Sequence, residues 1–97
     1  MKLITQEIKD QVAALYGTEK LPALKTPIIA KFFTPWAGWT WYMTELDRDG
    51  DLAFGLVDGL EKEIGYFRIS ELEAIRGPGG LTIERDLYFG EHMLSEF

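Results

Sequence analysis

Asp47-Arg48-Asp49-Gly50-Asp51 sets carboxylates at alternate positions, with Asp58 at the twelfth place. That is how a calcium loop begins, alternating oxygen ligands and a distal carboxylate closing around a hard cation. Such a loop needs glycine at its sixth place for the sharp bend, and here that place is Leu52, followed by Ala53 and Phe54. Those residues read as a strand, so the segment is a hairpin turn. Glu45, Asp58 and Glu63 form a second candidate, a carboxylate cluster for a divalent metal or for acid–base work. The alternative is structural: each carboxylate takes a hydrogen bond from a cation such as Lys31, Arg68 or Arg85. Trp36, Trp39, Trp41 and Tyr42 form a third, a platform on which bases or sugars stack. Platforms for nucleic acid carry lysines and arginines for the phosphates, and here only Lys31 and Arg48 stand near, among several acids. Core packing accounts for most of these rings; Trp36, in a turn, is the one expected to be exposed.

Two dense charge groups come later, Glu71-x-Glu73-x-x-Arg76 and Glu84-Arg85-Asp86. As solvated local ion pairs they contribute little. Joined by Glu61, Glu63, Glu91 and Glu96, they make an acidic face able to grip a basic partner or imitate a phosphate backbone. Gly77-Pro78-Gly79-Gly80 shares only its glycines with a phosphate loop: no Lys-Ser or Lys-Thr follows, so it reads as a turn. His92 is the only histidine and has no Ser or Cys partner pattern around it.

The elements that position these residues follow from local patterning. Trp39–Leu46 and Leu52–Asp58 are rich in aromatic and β-branched residues and read as paired strands. Asp49-Gly50 between them suits a two-residue type I′ loop. That loop sets Arg48 against Asp51, Glu45 against Phe54, Met43 against Leu56 and Trp41 against Asp58. One face then carries Trp39, Trp41, Met43, Phe54 and Leu56 and forms the core, with Glu45 and Asp58 as buried polar groups at its margin; Tyr42, Thr44, Leu46, Ala53, Gly55 and Val57 face the other way. Upstream, Thr5 caps a helix running to about Tyr16 and stopped by Gly17. Ile4, Ile8, Val12 and Leu15 make its apolar stripe, packing on the core or binding a partner. Thr18–Thr26 is a loop with Pro22, and Ile28–Phe33 is a strand. Ile64–Ile69 is another, with Ile64, Tyr66 and Arg68 on one side. Ser70-Glu71-Leu72-Glu73 is a capping box opening a short helix, which the Gly-Pro-Gly-Gly turn ends. Leu81–Phe89 holds a last short strand, and Gly90–Phe97 is a tail. Helix, meander, short helix and strand predict an α+β fold: an antiparallel sheet of four or five strands under the N-terminal helix, as a single domain over 1–97.

Composition narrows the setting. The chain has 97 residues, no cysteine and a net charge of −6, with a pI near 4.7. Disulfides, a thiol nucleophile and thiolate metal sites are excluded, and a cytoplasmic location is expected. The acidity disfavours non-specific attraction to DNA or anionic membrane and steers basic protein partners inward. Direct nucleic-acid binding and membrane association are therefore not expected, nor is a cofactor.

One resemblance adds to this reading. Lys31-Phe32-Phe33-Thr34-Pro35, Trp41-Tyr42-x-Thr44-Glu45, Phe54-Gly55-Leu56-Val57-Asp58, Ile64-Gly65-Tyr66, Ser70-Glu71-Leu72-Glu73 and Glu84-Arg85-Asp86-Leu87 occur in that order. In these motifs the chain resembles the bacterial domain-of-unknown-function family DUF2958 over about Lys31–Phe89. The resemblance implies short acidic proteins carried on plasmids, phages and integrating elements. It implies no activity, and no catalytic role transfers to any residue.

The expected function is a non-enzymatic, acidic protein-binding module of a mobile element, directed at a basic host protein such as a CRISPR or restriction component. Glu71, Glu73, Glu84, Asp86 and Trp36 are its expected contact residues. The first alternative is a single-stranded nucleic-acid accessory protein using exposed aromatics. The second is a small metal-dependent enzyme built on Glu45 and Asp58.

Overall fold

A computed structural model describes residues 2–14 and 26–97. The chain folds as α1 (Gln6–Ala14), β1 (Pro27–Ile28), β2 (Ala30–Phe33), β3 (Thr40–Leu46), β4 (Leu52–Asp58), β5 (Lys62–Arg68), α2 (Ile69–Ala74), β6 (Glu84–Arg85) and β7 (His92–Met93), with 3-10 turns at Pro78–Gly80 and Leu94–Glu96. Five strands form an antiparallel sheet in the order β5-β4-β3-β2-β6, and β1 pairs with β7 in a separate two-stranded ribbon. The expected α+β architecture is what the protein adopts.

Local chemistry explains the first helix. The Thr5 hydroxyl accepts the Ile8 amide at 3.2 Å, satisfying a backbone donor that the first turn leaves open. Ile8 on the helix and Ile4 just before it are buried in the core against the sheet. The side chains of Val12 and Leu15, and the Gly17 stop, lie outside the described residues, as does most of the Thr18–Thr26 loop.

The central hairpin departs from the expected register. Asp49 does not take a positive φ; only Gly50 does, at 78°. The Gly50 amide donates to the Asp47 carbonyl at 3.0 Å and the Asp47 amide to the Leu52 carbonyl at 2.9 Å, so the loop is longer than two residues. Glu45 still faces Phe54, but the register shifts between Met43 and Glu45, so that Met43 faces Gly55, Tyr42 faces Leu56 and Trp41 faces Val57. Thr44 is the extra residue of this bulge. It is almost fully buried, and its hydroxyl donates to the Phe54 carbonyl at 3.1 Å. The bulge turns one strand end over relative to the other. Trp41 and Met43 therefore share a face with Leu46, Ala53 and Val57, while Phe54 and Leu56 join Tyr42, Glu45 and Asp58 on the reverse.

The main core lies on the first of these faces. Trp41, Met43, Leu46, Ala53, Ala30 and Phe32 pack there against Leu3, Ile4 and Ile8 from the N-terminal segment, Ile69 and Leu72 from α2, and Ile83. Among the described residues, the far face is covered over part of its area only. Ile28, Tyr42 and Leu56 form a second cluster there, roofed by Phe89 and Leu94, and Phe97 stacks on Tyr42 at 4.3 Å. The C-terminal residues are thus structured, not a tail: the Leu94 amide donates to the Thr26 carbonyl at 2.8 Å, and the Lys62 ammonium to the Phe97 carbonyl oxygen at 3.0 Å.

Three further expectations are corrected. The Ile28–Phe33 run breaks at Ile29, whose amide donates to the Met43 carbonyl, so it contributes to both sheets. The last main-sheet strand is limited to Glu84–Arg85. The Ser70 capping box does not form, because α2 starts one residue earlier with Arg68 at its N-cap and no side-chain cap bond there. Asp51, from the hairpin loop, does the capping instead. Its carboxylate accepts the Ser70 amide at 2.8 Å, its carbonyl accepts the Ile69 amide at 2.8 Å, and Arg68 pairs with it at 3.1 Å. The hydrogen bonds from Ser70, its amide first, and the contact with Arg68 hold the Asp51 carboxyl below its ordinary value.

Candidate functional site

The hairpin acids serve the backbone. Asp47 Oδ1 accepts the amides of Asp51 at 3.0 Å and Leu52 at 3.1 Å, and Asp51 caps α2. Glu45 and Asp58 share the far face, both half-buried. Glu45 faces Phe54, four places before Asp58 on β4, a separation of roughly 13 Å at strand rise. Glu63 faces Val57 and lies with the opposite face. The three carboxylates are not brought together, and among the described residues no group of three His, Asp or Glu side chains is placed to hold a metal ion. Asp58 acts on a neighbour instead: its charge, added to the larger effect of burial, raises the Tyr42 hydroxyl pKa.

The aromatic turn is arranged differently from the expectation. Trp36 is half-buried against the core, its indole lying on Gly77 so closely that a Cβ there would sit 2.4 Å from the ring. Trp39 is the exposed one, stacked 6.0 Å from Trp41 and lying over Gly59. The Thr34 hydroxyl holds this turn by accepting the Trp39 amide at 3.2 Å.

The acidic residues divide between the two sides of the sheet. Glu71 and Glu73 are exposed on α2, in the helical layer, where Glu73 accepts the Leu3 amide at 3.1 Å and ties the N-terminal segment down. Glu84 and Asp86 flank Arg85, which faces Phe32 on the core side and donates to the carbonyls of Lys2 and Leu3, both at 3.0 Å. Alternation turns Glu84 and Asp86 to the far face, where Lys31 lies 3.6 Å from Asp86. The four acids therefore do not form one continuous face.

At this edge the structure presents two residues that the sequence reading passed over. Directly after β6, Leu87 and Tyr88 project from a turn, 61% and 94% exposed. The turn is fixed at its base: Asp86 Oδ1 accepts the Tyr88 amide at 2.9 Å, and the Asp86 amide donates to the Lys31 carbonyl at 2.9 Å. A recess of about 290 Å³ adjoins it, lined by Lys31, Phe33 and the segment from Glu84 to Tyr88. Aspartate accepting an amide two residues on is an Asx turn, and Asp86-Leu87-Tyr88 carries that spacing in plain sequence. A strand expected within Leu81–Phe89 hides that signal.

On the same side, His92 lies against Phe89 with ring centres 4.3 Å apart, and its Nδ1 meets Glu96 Oε1 at 3.0 Å. The hydrogen bond to Glu96 is the main reason the His92 pKa is raised, and the same bond holds Glu96 low. The pair pins the C-terminal segment over Tyr42.

A five-stranded antiparallel sheet with two helices on one face, and a turn of exposed apolar residues beside carboxylates at its edge, defines a small α+β protein with a built surface feature. Comparison with known families is then specific: the family described as Protein of unknown function (DUF2958) matches residues 3–97. The chain belongs to that family, and the match takes in the first helix, beyond the Lys31–Phe89 motifs. No curated protein and no solved structure matches the chain. Among the described residues, no helix is long and apolar enough to cross a membrane.

Proposed function

We propose that the protein is a non-enzymatic protein-binding module whose contact surface centres on Leu87 and Tyr88. The observation that carries this reading is the pairing of exposure, nearly complete at Tyr88, with a hydrogen-bonded base. A solvent-exposed tyrosine beside a leucine, held by backbone hydrogen bonds, presents apolar area at little entropic cost. Tyrosine in such a place is a frequent energetic anchor of interfaces. Glu84 and Asp86 beside it, with the net charge of −6, favour a partner with a basic surface and speed the encounter. Glu71 and Glu73, on the helical side, contribute to that long-range attraction and not to the contact. The plasmid and phage setting implied by the resemblance makes a nucleic-acid-handling host protein, such as a CRISPR or restriction component, a fitting partner class. A cytoplasmic location belongs to the same proposal.

The test compares immobilised wild type with Leu87→Ser and Tyr88→Ala in capture from a bacterial lysate. Both side chains are exposed, so the variants keep the wild-type melting temperature. The reading expects a protein retained by wild type, released by salt, and at least about tenfold weaker with Tyr88→Ala, as for an anchor residue. Equal retention by all three proteins would refute it.

A further inference from the structure

We infer that β5 is a self-association edge, through which two copies join in one antiparallel sheet with Ile64 on the two-fold axis. Among the described residues β5 ends the main sheet, and its register with β4 is unbroken from Arg68 to Lys62. The Ile69 amide donates to the Asp51 carbonyl. By antiparallel alternation, the backbone groups of Phe67, Gly65 and Glu63 then turn to β4, and those of Lys62, Ile64, Tyr66 and Arg68 turn outward. No proline or bulge guards this edge, although edges are commonly so guarded. The opposite edge, β6, is only two residues long.

The side chains agree with the backbone. Ile64 and Tyr66 are 55% and 71% exposed on the far face, where Phe54 meets Tyr66 edge-on at 4.9 Å. Leu60, just before the strand, is 92% exposed. Charge selects the occupant. Leu60–Arg68 carries Glu61 and Glu63 against Lys62 and Arg68, a neutral stretch in a chain of net charge −6. Two copies therefore approach along it with little of the repulsion that opposes association elsewhere on the surface.

Outward residues must face outward residues, and this limits the register. Centred on Gly65, the pairing would set Lys62 against Arg68 of the second copy, twice, and like charges directly opposite are destabilising. Centred on Ile64, it sets Ile64 against its own copy, Lys62 against Tyr66 and Arg68 against Leu60, with no like pair. The axis stands perpendicular to the sheet. The α1 and α2 helices of both copies then fall on one face, and the Phe54, Ile64 and Tyr66 groups of both copies merge on the other. On the function proposed above, with Leu87 and Tyr88 as the partner contact, the dimer displays that contact at both outer edges. It would engage paired or repeated partner sites with the gain of bivalency.

Sedimentation velocity and light scattering on the full chain test the pairing without any ligand. The expected wild-type mass rises from 11.1 kDa to twice that between about 1 µM and about 1 mM, the range for a small interface. Ile64→Lys, which sets two ammonium groups face to face, weakens dimerisation at least about tenfold while keeping the melting temperature; Leu87→Lys, at the other edge, leaves it unchanged. The chain has no cysteine, so Ile64→Cys introduces a single thiol. A short thiol-reactive cross-linker should join two such chains far faster than two Leu87→Cys chains. A wild type that stays single over the whole range, an Ile64→Lys variant that dimerises like wild type, or equal cross-linking at both positions would overturn the proposal. These outcomes are independent of lysate capture, so either reading can fail alone.

Discussion

Gly55 and Gly65 face each other across β4 and β5, and the fold assigns them opposite responses to alanine. A Cβ on Gly55 would lie 1.9 Å from the Tyr42 carbonyl oxygen, 3.0 Å from the Tyr42 carbonyl carbon and 3.2 Å from Met43 Cα. All three atoms are backbone of β3, so no side-chain rotation relieves the contact. The Thr44 bulge creates this close approach, and relieving it means moving β3 together with Met43, which is fully buried. Overpacking in a core costs about 1–3 kcal/mol and occasionally more; a backbone clash at this position belongs at about 3 kcal/mol. For a domain of this length that lowers the melting temperature by roughly 12–24 °C. A Cβ on Gly65 meets nothing within 4 Å. Removing the glycine penalty there gains about 0.5–1 kcal/mol and raises the midpoint by a few degrees. Thermal unfolding followed by near-ultraviolet circular dichroism of the tryptophans reads both. If Gly55→Ala melts like wild type, or if the two variants fall together, Met43 does not face Gly55 and the bulged register is wrong.

Further outcomes follow from the same contacts. Thr44→Val keeps the volume and removes the hydroxyl that donates to Phe54, leaving that carbonyl short of a partner, at about 1–3 kcal/mol; urea unfolding measures it, and an unchanged midpoint would exclude that hydrogen bond. Asp51→Ala uncaps α2 and lowers the melting temperature at neutral pH. Because the folded Asp51 carboxyl is held below its ordinary 3.8, its contribution is present above that value and lost as pH falls through the depressed one, so the gap between wild type and variant should close in acid. The His92–Glu96 pair has a two-sided window. His92, raised from 6.5, stabilises below that value and loses its effect as pH rises through the folded one; Glu96, lowered from 4.5, stabilises above that value and loses its effect as pH falls. The advantage of wild type over His92→Gln in melting temperature should therefore be greatest between about 4.5 and 6.5, and an advantage independent of pH would contradict the pairing.

Sequence patterning located most elements because their causes are local. Thr5 caps α1 through a contact three residues away, Asp-Gly marks the tip of the hairpin, and the alternation of Ile64, Tyr66 and Arg68 holds along β5. The errors have non-local causes. Ser70 and Glu73 have the spacing of a capping box, but Asp51 takes the Ser70 amide and Leu3 occupies Glu73, and both partners are distant in sequence. An ordinary type I′ loop predicts one register; the extra residue at Thr44 becomes visible only through the close approach of Gly55 to Tyr42. Trp36 sits in a turn, yet the turn folds onto Gly77, so position in a loop did not mean exposure. The charge groups were conspicuous as composition, but the sheet separates them, Glu71 and Glu73 from Glu84 and Asp86. Leu87 and Tyr88, ordinary strand formers by type, matter because the Asp86 side chain stops the strand beneath them.

Contact between the Leu87–Tyr88 turn and a partner protein is decided by side-by-side capture with wild type and Tyr88→Ala at matched melting temperature. The predicted result is a salt-sensitive partner retained by wild type and lost with Tyr88→Ala. A partner retained equally by both, or none retained by wild type, would contradict it.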